Sequence, residues 1–130
     1  LILGTGGASK AAEWVLKKHG CQITFVSRKP ASENTVSWDD LNKSSISGFE
    51  LIINTTPLGM HPNIDEYPPL PYDTAEKKHT FFDLIYNPAE TAFLRKAKGR
   101  GCKVINGLYM LEQQAEKAWE TWNTDEQITP

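Results

Sequence analysis

The spacing of apolar residues changes repeatedly along the chain, and the changes mark alternating strands and helices. Leu1–Leu3 is a short, wholly apolar run that ends in the glycine-rich stretch Gly4-Thr5-Gly6-Gly7. Ala8, Ala11, Ala12, Val15 and Leu16 then recur at helical spacing and predict one apolar face, with Lys17, Lys18, His19 and Gly20 as a basic stop. Cys21–Ser27 reads as a strand, Arg28–Asn34 as a polar loop, Thr35–Ser37 as an edge strand and Trp38–Leu41 as the start of a small helix. Phe49–Asn54 predicts a buried strand. Between Thr56 and His79, Pro57, Pro62, Pro68, Pro69 and Pro71 exclude regular structure over most of the segment, and so long a connection predicts a lid or binding loop. Thr80–Tyr86 is the next strand, and Pro88 is expected to open a helix to about Lys98, closed by Gly99 and Gly101. Lys103–Asn106 follows as a last short strand. Tyr109–Trp122 reads as a final helix, with Leu111, Ala115, Ala118, Trp119 and Trp122 on one face.

Strands alternating with helices predict a doubly wound parallel α/β sheet of about six strands, with helices on both faces and strand order 3-2-1-4-5-6. The folded unit is expected over residues 1–122, with a polar, fraying tail at 123–130. Leu1–Leu3 has neither a methionine nor a turn before it and reads as the end of a strand, so the chain reads as a piece of a longer protein.

Composition narrows the classes. The 130 residues suit one domain, and 39% hydrophobic with 23% charged residues argues against a disordered or fibrous chain. Lys+Arg of 14 against Asp+Glu of 16 leaves −2, which is not the electrostatic footprint of a nucleic-acid or membrane-surface binder. No apolar run approaches the roughly 20 residues of a membrane span. Cys21 and Cys102 have neither zinc nor redox spacing, and the chain carries no signal segment at its front, so a reducing, cytoplasmic setting is expected. His19, His61 and His79 have no carboxylate at metal or triad spacing and are expected to be structural or superficial, and no metal is expected. The four tryptophans are assigned to packing. No general acid/base pair stands out.

Five stretches could carry chemistry. Gly4-Thr5-Gly6-Gly7-Ala8-Ser9 follows a strand and opens a helix, the context in which a bare backbone approaches a pyrophosphate and helix amides face it. The plainer alternative is a tight strand–helix turn. Ser27-Arg28-Lys29 ends the second strand, where NAD-binding sheets usually place an acidic residue for the ribose. A guanidinium there would instead grip a 2′-phosphate, predicting NADP over NAD unless the pair is merely solvated. Asn54-Thr55-Thr56-Pro57-Leu58-Gly59-Met60 is either a strand-ending turn or a cofactor-lining one. In Asp83-Leu84-Ile85-Tyr86-Asn87-Pro88, Tyr86 could donate to a hydroxylated substrate or be satisfied by backbone. In Asn106–Ala115, Gln114 borders the apolar helix face and could aim an amide into a cleft or lie on a solvated edge.

In this order, Gly4-Thr5-Gly6-Gly7-Ala8, Asn54–Met60, Asp83–Tyr86 and Met110–Ala115 resemble the carboxyl-terminal, NADP-binding domain of the shikimate dehydrogenases, from Leu1 to about Trp122. The resemblance implies a Rossmann-like fold and NADP-dependent interconversion of 3-dehydroshikimate and shikimate, an alcohol dehydrogenase step towards chorismate and the aromatic amino acids. It implies that Gly4, Thr5, Gly6, Gly7 and Ala8 cradle the pyrophosphate and that Ser27, Arg28 and Lys29 meet the 2′-phosphate. Thr56 would lie near the adenine, Leu84 and Gly107 beside the nicotinamide, and Tyr86 and Gln114 against shikimate. The family's cofactor loop typically reads Asn-Arg-Thr with a second arginine a few residues on; here it is Ser27-Arg28-Lys29, with Ser32 at that second position. The family's catalytic lysine and aspartate belong to an amino-terminal substrate domain, so no catalytic residue is expected in this chain, which should bind NADP without turnover. As a whole protein the family works as a monomer or homodimer. Alternatives are a quinate-accepting relative, a non-catalytic NADP-binding module and an S-adenosylmethionine methyltransferase. Against the last, its sites normally end the second strand with an acidic residue, where this chain has Ser27-Arg28.

Overall fold

The computed structural model describes the backbone of residues 1–128 and the side chains of residues 1–123. Six strands form one sheet: β1 (Ile2–Leu3), β2 (Phe25–Ser27), β3 (Thr35–Ser37), β4 (Leu51–Asn54), β5 (Thr80–Asp83) and β6 (Lys103–Ile105). All pairs are parallel, in the order β3-β2-β1-β4-β5-β6 predicted from the sequence. Among the described residues four α-helices accompany them, α1 (Gly7–Lys18), α2 (Trp38–Asn42), α3 (Ala92–Gly99) and α4 (Leu108–Ile128), with one 3-10 turn at Tyr72–Thr74. The strand order reverses between β1 and β4, which opens a crevice beyond their carboxyl ends.

The period-2 geometry of strands divides the core. Leu3, Val26, Ile52 and Phe81 face one side, where they join Leu41 of α2, Phe93, Leu94 and Ala97 of α3, and Leu70 and Ala75. Phe81 and Phe93 lie 5.2 Å apart by ring centroid, and Tyr72 stacks on Phe81 at 6.4 Å. Ile2, Phe25 and Ile53 face the other side, against Ala12 and Leu16 of α1.

Several expectations give way to tertiary structure. On α1 the inward positions are Ser9, Ala12 and Leu16, while Val15 is exposed, because the short serine lets the helix sit close to the turn that starts it. Pro88 does not open α3. Thr91 does, since its hydroxyl accepts from the Leu94 N–H and fixes the cap there. The predicted lid at 56–79 is only partly one. Pro68, Leu70, Ala75 and Tyr72 pack onto the sheet and fill the place of a crossover helix between β4 and β5. α4 continues to Ile128 where a fraying tail is predicted from Asn123, because no glycine or proline intervenes to stop it; residues 129 and 130 lie outside the described residues. The packing assignment holds for Trp38 and fails for Trp14, Trp119 and Trp122, which are 61%, 65% and 66% exposed. Trp14 carries the Lys18 ammonium 3.6 Å from its ring instead.

The link from β2 to β3 is the loop Arg28–Asn34, shorter than the roughly dozen residues a parallel crossover normally needs. It folds directly back, with Phe25 N–H donating to the Asn34 carbonyl at 2.8 Å. Among the described residues no helix lies between β2 and β3, and a recess of about 340 Å3 opens between α1 and the loop.

Candidate functional site

Four turns meet at the carboxyl ends of the strands. The first is the glycine turn between β1 and α1. Gly4 has φ +104°, and a Cβ there would lie 2.9 Å from the Thr55 Oγ1, so both backbone and neighbour require glycine. Thr55 is fixed in that place because its hydroxyl and its N–H both donate to the Leu3 carbonyl, at 2.6 and 3.1 Å. Gly6 caps α1 with no side-chain acceptor, and the first turn contains no acidic residue. Around Gly6 and Gly7 a Cβ would meet nothing within 4 Å. The leading N–H groups of α1 therefore face open space at the positive end of a helix dipole, a ready anion site.

Gly4, Thr5, Gly6, Ser27, Arg28 and Thr56 line one recess of about 700 Å3. Trp38, Pro57, Leu58 and Pro69 complete its wall. Lys29 diverges from Arg28: it lines the neighbouring recess above the β2–β3 loop, with Thr5, Lys10, Ser27 and Ser32. Ser27 and Thr5 belong to both spaces, so the end of β2 presents Arg28 on one side and Lys29 on the other.

A further recess of about 480 Å3 shares the wall Thr55-Thr56-Pro57 and runs over Ala8 towards Leu84, Ile85, Tyr86 and Asn87. Tyr86 is 49% exposed at its rim. Gly107 closes the turn from β6 into α4 against this loop. A Cβ at Gly107 would collide with the Leu84 carbonyl oxygen, so the two turns meet there through backbone contact. Gly7 begins α1 beside Gly6. Gln114 is exposed on α4 and lines none of these three recesses. Met60 and His61 also line the 480 Å3 recess, so the exposed His61, read from sequence as structural or superficial, stands at the cleft wall.

Beneath the floor lies a buried polar cluster whose signal was the two polar residues that end otherwise apolar strands. Asn54 and Asp83 are register partners at the ends of β4 and β5, and both are fully buried. The Asn54 Oδ1 accepts from the Thr56 N–H at 3.0 Å and from its hydroxyl at 2.6 Å. The Asp83 carboxylate accepts from the Asn54 amide at 3.2 Å, the Ile85 N–H at 3.0 Å and the Thr91 hydroxyl at 2.6 Å. Burial pushes its carboxyl above the usual carboxylate range, against the opposing pull of the bonds from Thr91, Ile85 and Asn54. Among the described residues no cluster of His, Cys, Asp or Glu could hold a metal ion, and no helix is long and apolar enough to cross a membrane.

No family model matches the chain. The shikimate dehydrogenase (NADP(+)) of Methanococcus aeolicus is 38% identical over 135 residues, covering 94% of this chain and 48% of that protein. Among solved structures, the chorismate mutase/shikimate 5-dehydrogenase fusion protein from Clostridium acetobutylicum is similar with a TM-score of 0.79 at 37% identity, over 95% of this chain and 47% of that one. The shikimate 5-dehydrogenase of Thermus thermophilus, solved in complex with NADP(H) and shikimate, gives 0.76 at 31% identity, over 93% and 47%. The chain spans about half the length of the curated relatives it matches. Sequence and backbone together make it a homologue of the shikimate dehydrogenases over the part of their length that it spans.

Proposed function

We propose that this chain is the NADP-binding part of a shikimate dehydrogenase, the enzyme that reduces 3-dehydroshikimate to shikimate with NADPH. The observation that carries the reading is the uncapped amino end of α1, whose open glycines Gly6 and Gly7 face the space that Arg28 and Thr56 border. Relatives whose names specify NADP(+), and a solved neighbour in complex with NADP(H) and shikimate, support it.

The residues fit such a cofactor. Gly4, Thr5, Gly6, Gly7 and Ala8 hold the pyrophosphate through main-chain N–H groups, with no carboxylate in the first turn of α1 to repel it. Arg28 donates in a fork to a 2′-phosphate, and Ser27 and Lys29 reach the same group from the neighbouring recess. Thr56 lines the adenosine side, while Leu84 and Gly107 bound the ring side. When bound, NADPH supplies a hydride for the ketone carbon. Tyr86 at the rim of the ring recess, and Gln114 on α4, orient the hydroxylated ring. The proton goes to the carbonyl oxygen from a lysine–aspartate pair in an amino-terminal substrate domain. The whole protein works in the cytoplasm as a monomer or homodimer.

The test is NADPH fluorescence titrated with the chain, with Arg28→Glu in parallel. The reading expects saturable binding that weakens in the variant, and no oxidation of shikimate by the chain alone. Shikimate turnover by these residues would overturn the assignment of proton transfer to another domain, and an unchanged signal would overturn the cofactor reading.

A further inference from the structure

Asn54, Asp83 and Thr91 line none of the recesses, yet their cluster joins the two turns, after β4 and after β5, that wall the ring recess. Asp83 lies at its centre. Its Oδ1 holds the Ile85 N–H, and so the path of the Leu84-Ile85-Tyr86 wall, while also holding the Asn54 amide. Asn54 in turn fixes Thr56 through both N–H and hydroxyl, so the opposite wall hangs from the same carboxylate. The Oδ2 accepts from Thr91, the cap of α3, which ties the two walls to the most deeply packed helix. A second tie runs overhead, where the His61 N–H donates to the Asn87 carbonyl at 3.1 Å.

Resting on the cofactor reading above, we propose that Asp83 is a positioning residue: its carboxylate sets the spacing between the Thr56 wall and the Ile85 wall of the ring recess. The carboxylate is fully buried, and none of the ion pairs among the described residues involves it. A buried charge without a cation is a cost that a purely structural position would shed by substitution, and such groups concentrate at functional sites. Sign follows from the raised titration. The folded state holds the Asp83 proton more tightly than the unfolded state, so stability falls as pH rises through that window, and above it the charge is destabilising. Asp83→Asn keeps the shape and one acceptor oxygen, removes the charge, and faces an N–H2 to Thr91. Its Tm at neutral pH should equal or exceed that of the unsubstituted chain, while the two bonds that join the walls at Oδ1 weaken with the lost charge and the bond that Thr91 donates to Oδ2 is lost.

The groups that face Asp83 are few. β4 contributes no titratable side chain there, the 56–79 segment contributes the Tyr72 phenol, and Arg95, Lys96 and Lys98 of α3 are exposed. His61 and Tyr86 are the titratable groups of the recess itself.

The decisive experiment measures, on this chain, the affinity for NADP+ and for 2′-phospho-ADP-ribose, which is the same ligand without its nicotinamide ring. In Asp83→Asn, NADP+ affinity should fall by about tenfold, the scale of one lost hydrogen bond to a charged group, with 2′-phospho-ADP-ribose held within about twofold. In the unsubstituted chain the ratio of the two affinities should fall as pH is lowered through the Asp83 titration. That step should persist in His61→Gln and be absent in Asp83→Asn. Should Asp83→Asn not fold, the pH step and its persistence in His61→Gln decide the matter. An unchanged ratio in Asp83→Asn, or a step that disappears with His61 instead, overturns the role of Asp83 while leaving the cofactor reading intact. Failure of the unsubstituted chain to bind either ligand overturns both.

Discussion

On one side of the sheet, Leu3, Val26, Ile52 and Phe81 merge with α2, α3 and the proline-rich segment into a single apolar cluster centred on Phe81 and Phe93. On the other, the buried apolar cluster among the described residues is Ile2, Phe25 and Ile53, against a helix whose Trp14 and Val15 face outward. The same strands supply both sides by alternation, so the contrast comes from what covers them. The β2–β3 link is too short for a helix, and α1 is left to cover its side with a small patch. The thick side anchors the fold, and the thin side carries the glycine turn. A helix with few apolar contacts opens at lower free energy than the body of the domain. Ligand held at its amino end then adds stability where it is scarcest.

Substitutions can break this contrast, beginning with the most damaging. Phe93→Ala, in the thick side, should cost about 3–5 kcal/mol, read as a lowered urea midpoint, and much of the domain's stability with it. A midpoint shift no larger than that of an exposed residue would show that the cluster is not the anchor. Gly4→Ala should cost about 1–2 kcal/mol for a left-handed backbone, plus displacement of Thr55, and NADP+ binding should fall further than stability does. Arg28→Glu should leave the urea midpoint in place but reduce the NADP+ to NAD+ affinity ratio by at least about tenfold, the scale of a charge-assisted pair turned repulsive. The smallest effect belongs to α4. Trp122→Ala in this chain should shift stability by no more than about 0.5 kcal/mol, because the ring is 66% exposed. A larger loss would place that helix within the cooperative fold.

The legible parts of the sequence were those set by local geometry. Strand order followed from the alternation of elements, and the glycine turn from a backbone conformation at position 4 that only a glycine adopts without strain. Ser27, Arg28 and Thr56 could be placed together because residues at the carboxyl ends of neighbouring parallel strands converge. What escaped depended on partners distant in sequence. The α1 face could not be oriented from its own alanines, since Ser9 rather than Val15 turns inward once the helix docks. The start of α3 was decided by Thr91, whose hydroxyl is held by Asp83 across the β5 turn, and not by the helix-permitting Pro88. Arg28 and Lys29 are adjacent in sequence and line different recesses, a split that only the folded loop reveals. The Asn54–Asp83 pair was visible as two polar strand ends, but its partnership required the β4–β5 register.

Main-chain amides at the mouth of α1 are expected to hold a dinucleotide diphosphate, and amide NMR with added NADP+ reads those groups one by one. The Gly6, Gly7 and Ala8 cross-peaks should move progressively and saturate, with the Arg28 side-chain signal moving for NADP+ and far less for NAD+. Stationary peaks for Gly6 to Ala8 at saturating NADP+, or identical responses of Arg28 to both dinucleotides, would contradict it.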